Sequence, residues 1–291
     1  MRHTGRVTAI MSVQSSVAYG HVGNSAATFP LMRVGVEVWP VLTVHFSNHT
    51  GYPSWRGPLL TPADVAEVVE GIETLGVLER CDAVLSGYQG AAEMGHTILD
   101  VVRKVKQHNP AAVYCCDPVM GDVGRGMYVR PGIPELMRDV VVPQADVATP
   151  NHFELDFLTG GEQSTTMEQV LAKADRLRES GPATVLVTSV VVQGQQPEEL
   201  QLVAVDGTGA WSVTTPLLDR SFTGSGDLTS AMFLACLLAG DPLAEALATT
   251  AARVYGVLSV TAAAGESELQ LVAAQDELVR PTHTFTATRL R

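Results

Sequence analysis

A strand, a polar loop and a helix follow one another about six times along this chain of 291 residues. Short apolar runs rich in β-branched residues predict buried strands at 7–13, 35–44, 82–85, 112–116, 145–148 and 185–187. Segments with apolar residues at helical spacing separate several of these runs. The alternation predicts a single α/β domain over residues 1–291, with a largely parallel central sheet and helices on both faces.

Two helix starts have recognisable sequence signals. Thr61 is expected to cap a helix with Pro62 at its first position, and the core face of that helix should carry Val65, Val68, Val69 and Ile72. Earlier in the chain, Asn24 or Ser25 is expected to cap the helix that follows the first strand.

Charge and cysteine usage narrow the class of protein. The net charge of −12 argues against nucleic acids and anionic membranes as main partners. Four cysteines without C-x-x-C spacing are typical of reduced core residues in a cytoplasmic protein: Cys81, Cys115, Cys116 and Cys236. Met1–Arg6 leads directly into a predicted strand, so we expect no signal peptide, and the apolar run Ala231–Ala239 is shorter than the about 18 residues of a membrane span. We therefore expect a soluble cytoplasmic protein.

A glycine-rich turn lies late in the chain, at Gly224-Ser225-Gly226-Asp227. Two glycines one residue apart allow a tight turn whose backbone N–H groups can approach an anion. Apolar residues at helical spacing follow, so a helix should begin near Asp227, and its N-terminus favours a phosphate. The Asp227 carboxylate either caps this helix or acts as a general base on a substrate hydroxyl beside the phosphate.

Other loops carry side chains suited to ligands, and each also has an ordinary structural interpretation. The loop 46–55 suits a polar aromatic ring, or is a mobile surface loop. Asp117 and Asp122 straddle a turn and either hold Mg²⁺ against phosphates or simply form the turn. Asn151 and Glu154 either cap a helix or reach a metal-bound triphosphate. Ser15, after the first strand, is a candidate substrate contact or a turn residue.

Together these segments resemble the pyridoxal kinases of the ribokinase-like superfamily, over nearly the whole chain. Two strings separate that family from sugar kinases of the same fold: Tyr19-Gly20-His21-Val22-Gly23-Asn24 and Phe46-Ser47-Asn48-His49-Thr50. Further matches are Ser86-Gly87-Tyr88, Asp117-Pro118-Val119-Met120-Gly121-Asp122, Thr149-Pro150-Asn151 and Glu268-Leu269-Gln270-Leu271. The resemblance implies a three-layer α/β/α fold and ATP-dependent phosphorylation of the 5′-hydroxymethyl group of pyridoxal in vitamin B6 salvage. Pyridoxine and pyridoxamine are candidate further substrates.

The resemblance also implies a role for each matching residue. Asp227 would be the base, and the N–H groups of Gly224, Ser225 and Gly226 would hold the charge on the transferred phosphoryl group. The substrate ring would lie among Ser15, Val22, His49, Thr50, Gly51 and Tyr88. ATP would lie against Ser225 and a second group: Asp117, Asp122, Tyr128, Thr149, Asn151, Glu154, Thr188, Ser189, Leu217, Leu218 and Asp219. A metal would be held by Asp117, Thr149 and Glu154.

The implied cofactors are ATP and Mg²⁺, with K⁺ or Na⁺ as a candidate monovalent cation, and the implied assembly is a homodimer. Some family members carry a lysine where this chain has Thr188, and the loss of that charge would increase the dependence on metal ions. Two alternatives stay open, a hydroxymethylpyrimidine kinase of the same fold and a non-catalytic vitamin B6 binding protein.

Overall fold

A nine-stranded sheet forms the centre of the molecule. The structure is a computed structural model that describes residues 6–291. The prediction that Met1–Arg6 is not a signal peptide therefore falls almost wholly outside the described residues. In chain order the strands are β1 (Ala9–Val17), β2 (Glu37–Phe46), β3 (Ala83–Ser86), β4 (Val113–Cys116), β5 (Gly121–Asp122), β6 (Gly126–Met127), β7 (Val147–Ala148), β8 (Thr184–Val190), β9 (Glu199–Asp206), β10 (Gly209–Pro216) and β11 (Thr288–Arg289). Strands β5 and β6 form a separate hairpin.

The sheet is largely parallel, as predicted. Its order is β2-β1-β3-β4-β7-β8-β9-β10-β11, with parallel pairing from β2 to β8 and antiparallel pairing from β8 to β11. The chain leaves β1 for β2 on one side and returns to β3 on the other. The strand order therefore reverses at β1, and ligands of open α/β sheets bind at the carboxyl ends of the strands beside such a reversal, here β1 and β3.

Helices cover both faces of the sheet and complete the predicted three layers. They are α1 (Asn24–Arg33), α2 (Pro62–Thr74), α3 (Ala92–His108), α4 (Ile133–Leu136), α5 (His152–Leu158), α6 (Met167–Ser180), α7 (Ser225–Leu238) and α8 (Leu243–Ala263). Helices α2, α3 and α6 pack on one face, and α1, α7 and α8 pack on the other. The adjacent Cys115 and Cys116 point to opposite faces, and all four cysteines are buried and free.

Helix α8 is the one helix of the described chain that is long and apolar enough to cross a membrane, judged by length and composition. Its inner side, with Leu247, Ala251 and Val257, is buried in the core that it shares with α7. The helix also contacts β9 and β10. This is the packing of a core helix.

Of the two predicted helix caps, one is right and one is wrong, and the first strand ends later than predicted. Thr61 caps α2 in a capping box with Asp64, but Val68 is 51% exposed rather than part of the core. Neither Asn24 nor Ser25 caps α1, because Gly23 is the N-cap residue and has no side chain to accept a hydrogen bond. Strand β1 continues to Val17 because Ser16 and Val17 pair with β2, so Ser15 lies within the strand rather than after it.

Candidate active site

The glycine-rich turn forms the start of α7, close to the loop that follows β1. Gly224 has φ +86°, and a Cβ atom there would overlap the carbonyl oxygen of His21. Only glycine fits this position, for both conformational and steric reasons. No atom lies within 4 Å of a Cβ built at Gly226, so the turn faces open space on that side. The first N–H groups of a helix have no partner within the helix, so this turn offers donors to an anion.

Asp227 lies in the first turn of α7 and faces the same loop. Burial raises the pKa of its carboxyl to about 6, while the N–H of Gly23 opposes the shift by donating to the carboxylate. A Cβ atom at Gly23 would overlap the carbonyl oxygen of Ser15. Gly23 therefore contacts both Ser15 and Asp227. A carboxyl with a pKa near 6 is largely ionised at neutral pH and suited to accept a proton.

The predicted substrate residues lie near the carboxyl ends of β1, β2 and β3 or in the loops that follow these strands. Ser15 is buried, Val22 and Tyr88 are half-buried, and burial raises the pKa of the Tyr88 phenol. The backbone carbonyl of Tyr88 accepts a hydrogen bond from Thr43 on β2. His49 is half-buried, whereas Thr50 and Gly51 beside it are exposed. The aromatic and hydroxyl residues predicted for the ring pocket therefore lie on neighbouring strand ends and loops.

Two predicted acidic residues, Asp117 and Glu154, are buried near Asp227. Burial, followed by the charges of Glu154 and Asp227, raises the pKa of Asp117 well above its usual range. Burial also raises the pKa of Glu154 to about 7, against the opposing effect of three backbone N–H groups. Ionising these groups together is unfavourable without a cation, and their oxygen donors are those that Mg²⁺ prefers.

Asn151 and Glu154 form a capping box at the start of α5, which is the capping alternative that the sequence left open. Glu154 also accepts hydrogen bonds from the N–H groups of Met120 (2.8 Å) and Gly121 (3.4 Å), and Asn151 donates to the carbonyl of Gly121. Both residues therefore hold the turn that carries Asp122. With its oxygens occupied by backbone donors, Glu154 is suited to reach a metal through water.

Of the remaining predicted nucleotide residues, Thr188 and Ser189 lie within β8, which continues to Val190 rather than ending at residue 187 as predicted, and the others lie after β6 or β10. The backbone of Thr188 forms a parallel β-bridge with that of Asn151. Ser189 is the only non-glycine residue of the described chain with a positive φ, at 54°. Tyr128, after the β5–β6 hairpin, is 45% exposed, and its pKa is raised by partial burial and then by the charges of Glu154 and Asp117. Leu217, Leu218 and Asp219 follow β10, which runs in the same direction as β8. Leu217 and Asp219 are exposed.

Thr149 and Ser230 connect the buried Asp117 to α7, the helix that the glycine-rich turn begins. The Thr149 and Ser230 hydroxyl oxygens are 2.8 Å apart, and Ser230 Oγ donates to Asp117 Oδ2 over 2.9 Å. Ser230 was missed from the sequence, although it lies three residues after Asp227 and so on the same helix face. Within residues 6–291 no three His, Cys, Asp or Glu side chains are grouped as a ready-made metal site.

Sequence reasoning also missed the role of Glu268. Its Oε1 lies 2.7 Å from His49 Nε2 and accepts a hydrogen bond from the Tyr52 hydroxyl over 2.9 Å, while its Oε2 accepts from the His21 N–H over 3.0 Å. Glu268 belongs to a string that matches the family, but nothing in that string indicates its partners.

Comparison with known proteins identifies the family to which the chain is similar. The phosphomethylpyrimidine kinase family model matches residues 64–271. The chain is 55% identical to pyridoxal kinase PdxY of Rubrobacter xylanophilus over 97% of both chains. It is 52% identical to pyridoxal kinase PdxY of Leifsonia xyli, over 97% of this chain and 99% of that one.

Among solved structures, the chain is similar to the pyridoxal kinase of Leishmania donovani in complex with ADP and pyridoxine. The TM-score is 0.90 at 28% identity, and the match covers 97% of this chain and 99% of that chain. Identity above one half to a curated relative, over nearly the full length of both proteins, is decisive for membership. This chain belongs to the pyridoxal kinase family.

Proposed function

We propose that this chain transfers the γ-phosphoryl group of ATP to the 5′-hydroxymethyl group of pyridoxal, giving pyridoxal 5′-phosphate and ADP in vitamin B6 salvage. Relatives at 55% and 52% identity are named pyridoxal kinases, and a similar structure holds ADP and pyridoxine. The observation that carries the proposal is the position of Asp227. Its carboxyl faces the loop after β1 from the first turn of the helix that the glycine-rich turn begins.

In the proposed reaction Asp227 accepts the proton of the substrate hydroxyl as the hydroxyl oxygen attacks the γ-phosphorus. The bond between that phosphorus and the β–γ bridging oxygen breaks, and ADP leaves with the electron pair. The N–H groups of Gly224, Ser225 and Gly226 stabilise the charge on the transferred group. Donors fixed in advance at the position of developing charge supply a large part of catalysis in such sites.

The substrate ring lies in this proposal between the ends of β1 and β3. Val22, His49, Gly51 and Tyr88 form the walls, and Ser15 and Thr50 contribute hydroxyl groups for the polar ring atoms. Val22, His49 and Tyr88 are half-buried apolar or aromatic groups, which suit a flat ring, whereas Gly51 is exposed. Ser15 contacts Gly23, which faces Asp227.

The nucleotide lies in this proposal along the ends of β4, β7, β8 and β10. Asp117, Asp122, Thr149, Asn151 and Glu154 face its phosphates. The other proposed contacts are Tyr128, Thr188, Ser189, Leu217, Leu218 and Asp219. Bound Mg²⁺ would neutralise charge on the triphosphate, held by Asp117, Thr149 and, through water, Glu154. The raised pKa values of Asp117 and Glu154 support a cation at this place.

Replacing Asp227 with Asn tests the proposal. We expect D227N to lower kcat by about 10²- to 10⁴-fold, because the base acts as the hydroxyl attacks. The affinities for pyridoxal and ATP should change little. The measurements are pyridoxal 5′-phosphate and ADP formation, with calorimetric titration of both ligands.

Glu245→Gln is the matched control for D227N. Glu245 is an exposed acidic residue in the first turn of α8, which begins where α7 ends, at the opposite edge of the sheet. The control should retain normal turnover. Normal turnover in D227N would exclude Asp227 as the base. If the unmodified protein binds pyridoxal but forms no ADP, the protein is a non-catalytic vitamin B6 binding protein.

A second candidate substrate is hydroxymethylpyrimidine, because the matching family model is described as a phosphomethylpyrimidine kinase. Both substrates are nitrogen heterocycles with a hydroxymethyl group, so Asp227 would act in the same way. A panel of pyridoxal, pyridoxine, pyridoxamine and hydroxymethylpyrimidine decides between them. A higher kcat/KM for hydroxymethylpyrimidine would reverse the assignment.

The proposal extends to a monovalent cation, the assembly and the compartment. K⁺ or Na⁺ would lie near Thr149 and Thr188, and turnover measured at constant Mg²⁺ with varied K⁺ tests this; indifference to K⁺ excludes the site. The whole chain, 1–291, acts as one cytoplasmic kinase domain that forms a homodimer, which sedimentation analysis can measure. Four free, buried thiols support a reducing compartment.

A further inference from the structure

Glu268 is a buried carboxylate, with 7% of its surface exposed, at the junction of three loops that border the proposed active site. Its side chain accepts hydrogen bonds from the His21 N–H, after β1, and from the Tyr52 hydroxyl, after β2. Its backbone forms a bridge with Thr223, which immediately precedes the glycine-rich turn. We call Glu268 and its three side-chain partners, His21, His49 and Tyr52, the Glu268 junction.

His49 has both ring nitrogens occupied within the protein. The Gly51 N–H donates to Nδ1 over 3.1 Å, so Nδ1 is an acceptor and the proton lies on Nε2. That proton points at Glu268 Oε1 over 2.7 Å. His49 therefore has no nitrogen left to bind or relay a proton to the substrate. One of its hydrogen bonds fixes the backbone of Gly51, immediately after Thr50, and the other fixes the ring to Glu268.

The other end of the junction is equally constrained. A Cβ atom at Gly20 would overlap Glu268 Oε2, so the loop after β1 lies directly on the carboxylate. The next residue, His21, places its carbonyl oxygen where a side chain at Gly224 would be. Glu268 thus connects the loop that carries Thr50 to the turn that carries the proposed anion-binding N–H groups.

We propose that Glu268 is a positioning residue that fixes the 47–52 loop to the glycine-rich turn, so that the substrate hydroxyl is held against Asp227. Glu268 itself touches neither the substrate nor the phosphates in this proposal, which rests on the proposed function. Hydrogen bonds to a charged group contribute more than neutral ones, and this carboxylate accepts three. Tyr52 stays a proton donor throughout the assay range, because its hydrogen bond to Glu268 raises the pKa of its phenol to about 12.

Glu268→Gln is the sharpest test because it preserves the shape of the side chain, removes its charge and replaces one acceptor oxygen with an NH₂ donor. The amide NH₂ must then face either the His21 N–H or the His49 and Tyr52 donors, so a donor opposes a donor on one side. We expect kcat/KM for pyridoxal to fall about tenfold or more, with KM for ATP within about twofold of normal. A general loss of stability would instead change the kinetic constants for pyridoxal and for ATP to a similar extent.

Glu266→Gln is the matched control, since Glu266 is an exposed acid in the same segment whose side chain makes no hydrogen bond among the described residues. It should leave both KM values unchanged. Tyr52→Phe removes one hydroxyl from the junction and should lower kcat/KM for pyridoxal less than E268Q. In the E268Q background it should add little, since residues acting through one partner are not additive. Full additivity of the two changes would overturn the proposal.

Hydrogen exchange of residues 46–56 gives a readout that does not require turnover. E268Q should exchange faster there by about tenfold, and E266Q should not. Unchanged exchange, or faster exchange with normal kcat/KM for pyridoxal, would overturn the role of Glu268. If the unmodified protein forms no pyridoxal 5′-phosphate, the proposed function fails. Exchange and pyridoxal binding, measured by titration, then still decide whether Glu268 orders the loop.

Discussion

The pKa of the Asp227 carboxyl predicts how the activity depends on pH. Its pKa is raised by burial to about 6, above the ordinary value of 3.8. A general base must be ionised, so with MgATP saturating, kcat/KM for pyridoxal should fall tenfold per pH unit below about pH 6. Initial rates between pH 5 and 8 at constant ionic strength check this. A profile that is flat down to pH 5 would contradict the assignment of the base.

The same shift predicts that D227N is more stable than the unmodified protein above pH 6. Because the pKa is higher in the folded state, folding retains the proton between pH 3.8 and about 6, and the cost of the buried charge is complete only above pH 6. The stability advantage of D227N should therefore grow from pH 4 to pH 6 and then stay constant. Because Asp227 is partly exposed, solvent screening reduces the effect, and we expect a difference in the free energy of unfolding of about 1–2 kcal/mol. Urea unfolding at several pH values measures it.

Sequence reasoning could find residues that are neighbours in the chain, and failed for partners that are far apart. Gly224 to Asp227 form a contiguous motif, so their joint position at a helix start was predictable. Glu268 lies 219 residues from His49, and Ser230 lies 113 residues from Asp117. Contacts of such separation depend on strand order, and no local pattern encodes them.

At the level of helices and strands, alternation of apolar runs predicted the parallel strands but not their ends. A strand continues as long as its neighbour offers backbone partners, which is why β1 reaches Val17 beside β2. The predicted caps at Asn24 or Ser25 failed for a related reason. The Asn24 side chain instead donates to the carbonyls of Gln14 and Val41, joining α1 to β1 and β2.

The two ends of α7 allow a matched test of the glycine-rich turn. Gly224 and Gly240 both have φ +86°, but a Cβ at Gly240 meets no atom within 4 Å, whereas one at Gly224 would overlap the His21 carbonyl. Gly240→Ala should cost about 1–2 kcal/mol through the backbone conformation alone. Gly224→Ala should cost about 1–3 kcal/mol more, because the loop after β1 must move.

Kinetics distinguish these two glycine variants further. The displaced loop carries Gly23, whose N–H faces Asp227, so Gly224→Ala should also lower kcat for pyridoxal phosphorylation. Gly240→Ala should retain full kcat below its melting temperature. Urea unfolding and initial rates at 20 °C below the melting temperature provide both numbers. Equal stability and equal kcat in the two variants would show that the contact between α7 and His21 is unimportant.

At the level of the whole molecule, a net charge of −12 opposes the approach of a negatively charged nucleotide. Four acids, Asp117, Asp122, Glu154 and Asp227, lie close enough to raise the pKa of Tyr128, so the negative potential is not confined to remote surfaces. Salt screens such repulsion, with a Debye length that falls from about 30 Å at 0.01 M to about 8 Å at 0.15 M. Association of ATP should therefore become faster as ionic strength rises.

We expect kcat/KM for ATP to rise a few-fold between about 0.01 M and 0.15 M ionic strength, while kcat/KM for pyridoxal, which has little net charge, stays nearly constant. Tetramethylammonium chloride should set the ionic strength, with Mg²⁺ and K⁺ held constant, because either ion could act at the site itself. Pyridoxal serves as the internal control, since a general effect of salt on folding would change both values. A fall in kcat/KM for ATP with salt would instead mean that local positive potential, such as the N-terminus of α7, outweighs the net charge and draws the nucleotide in.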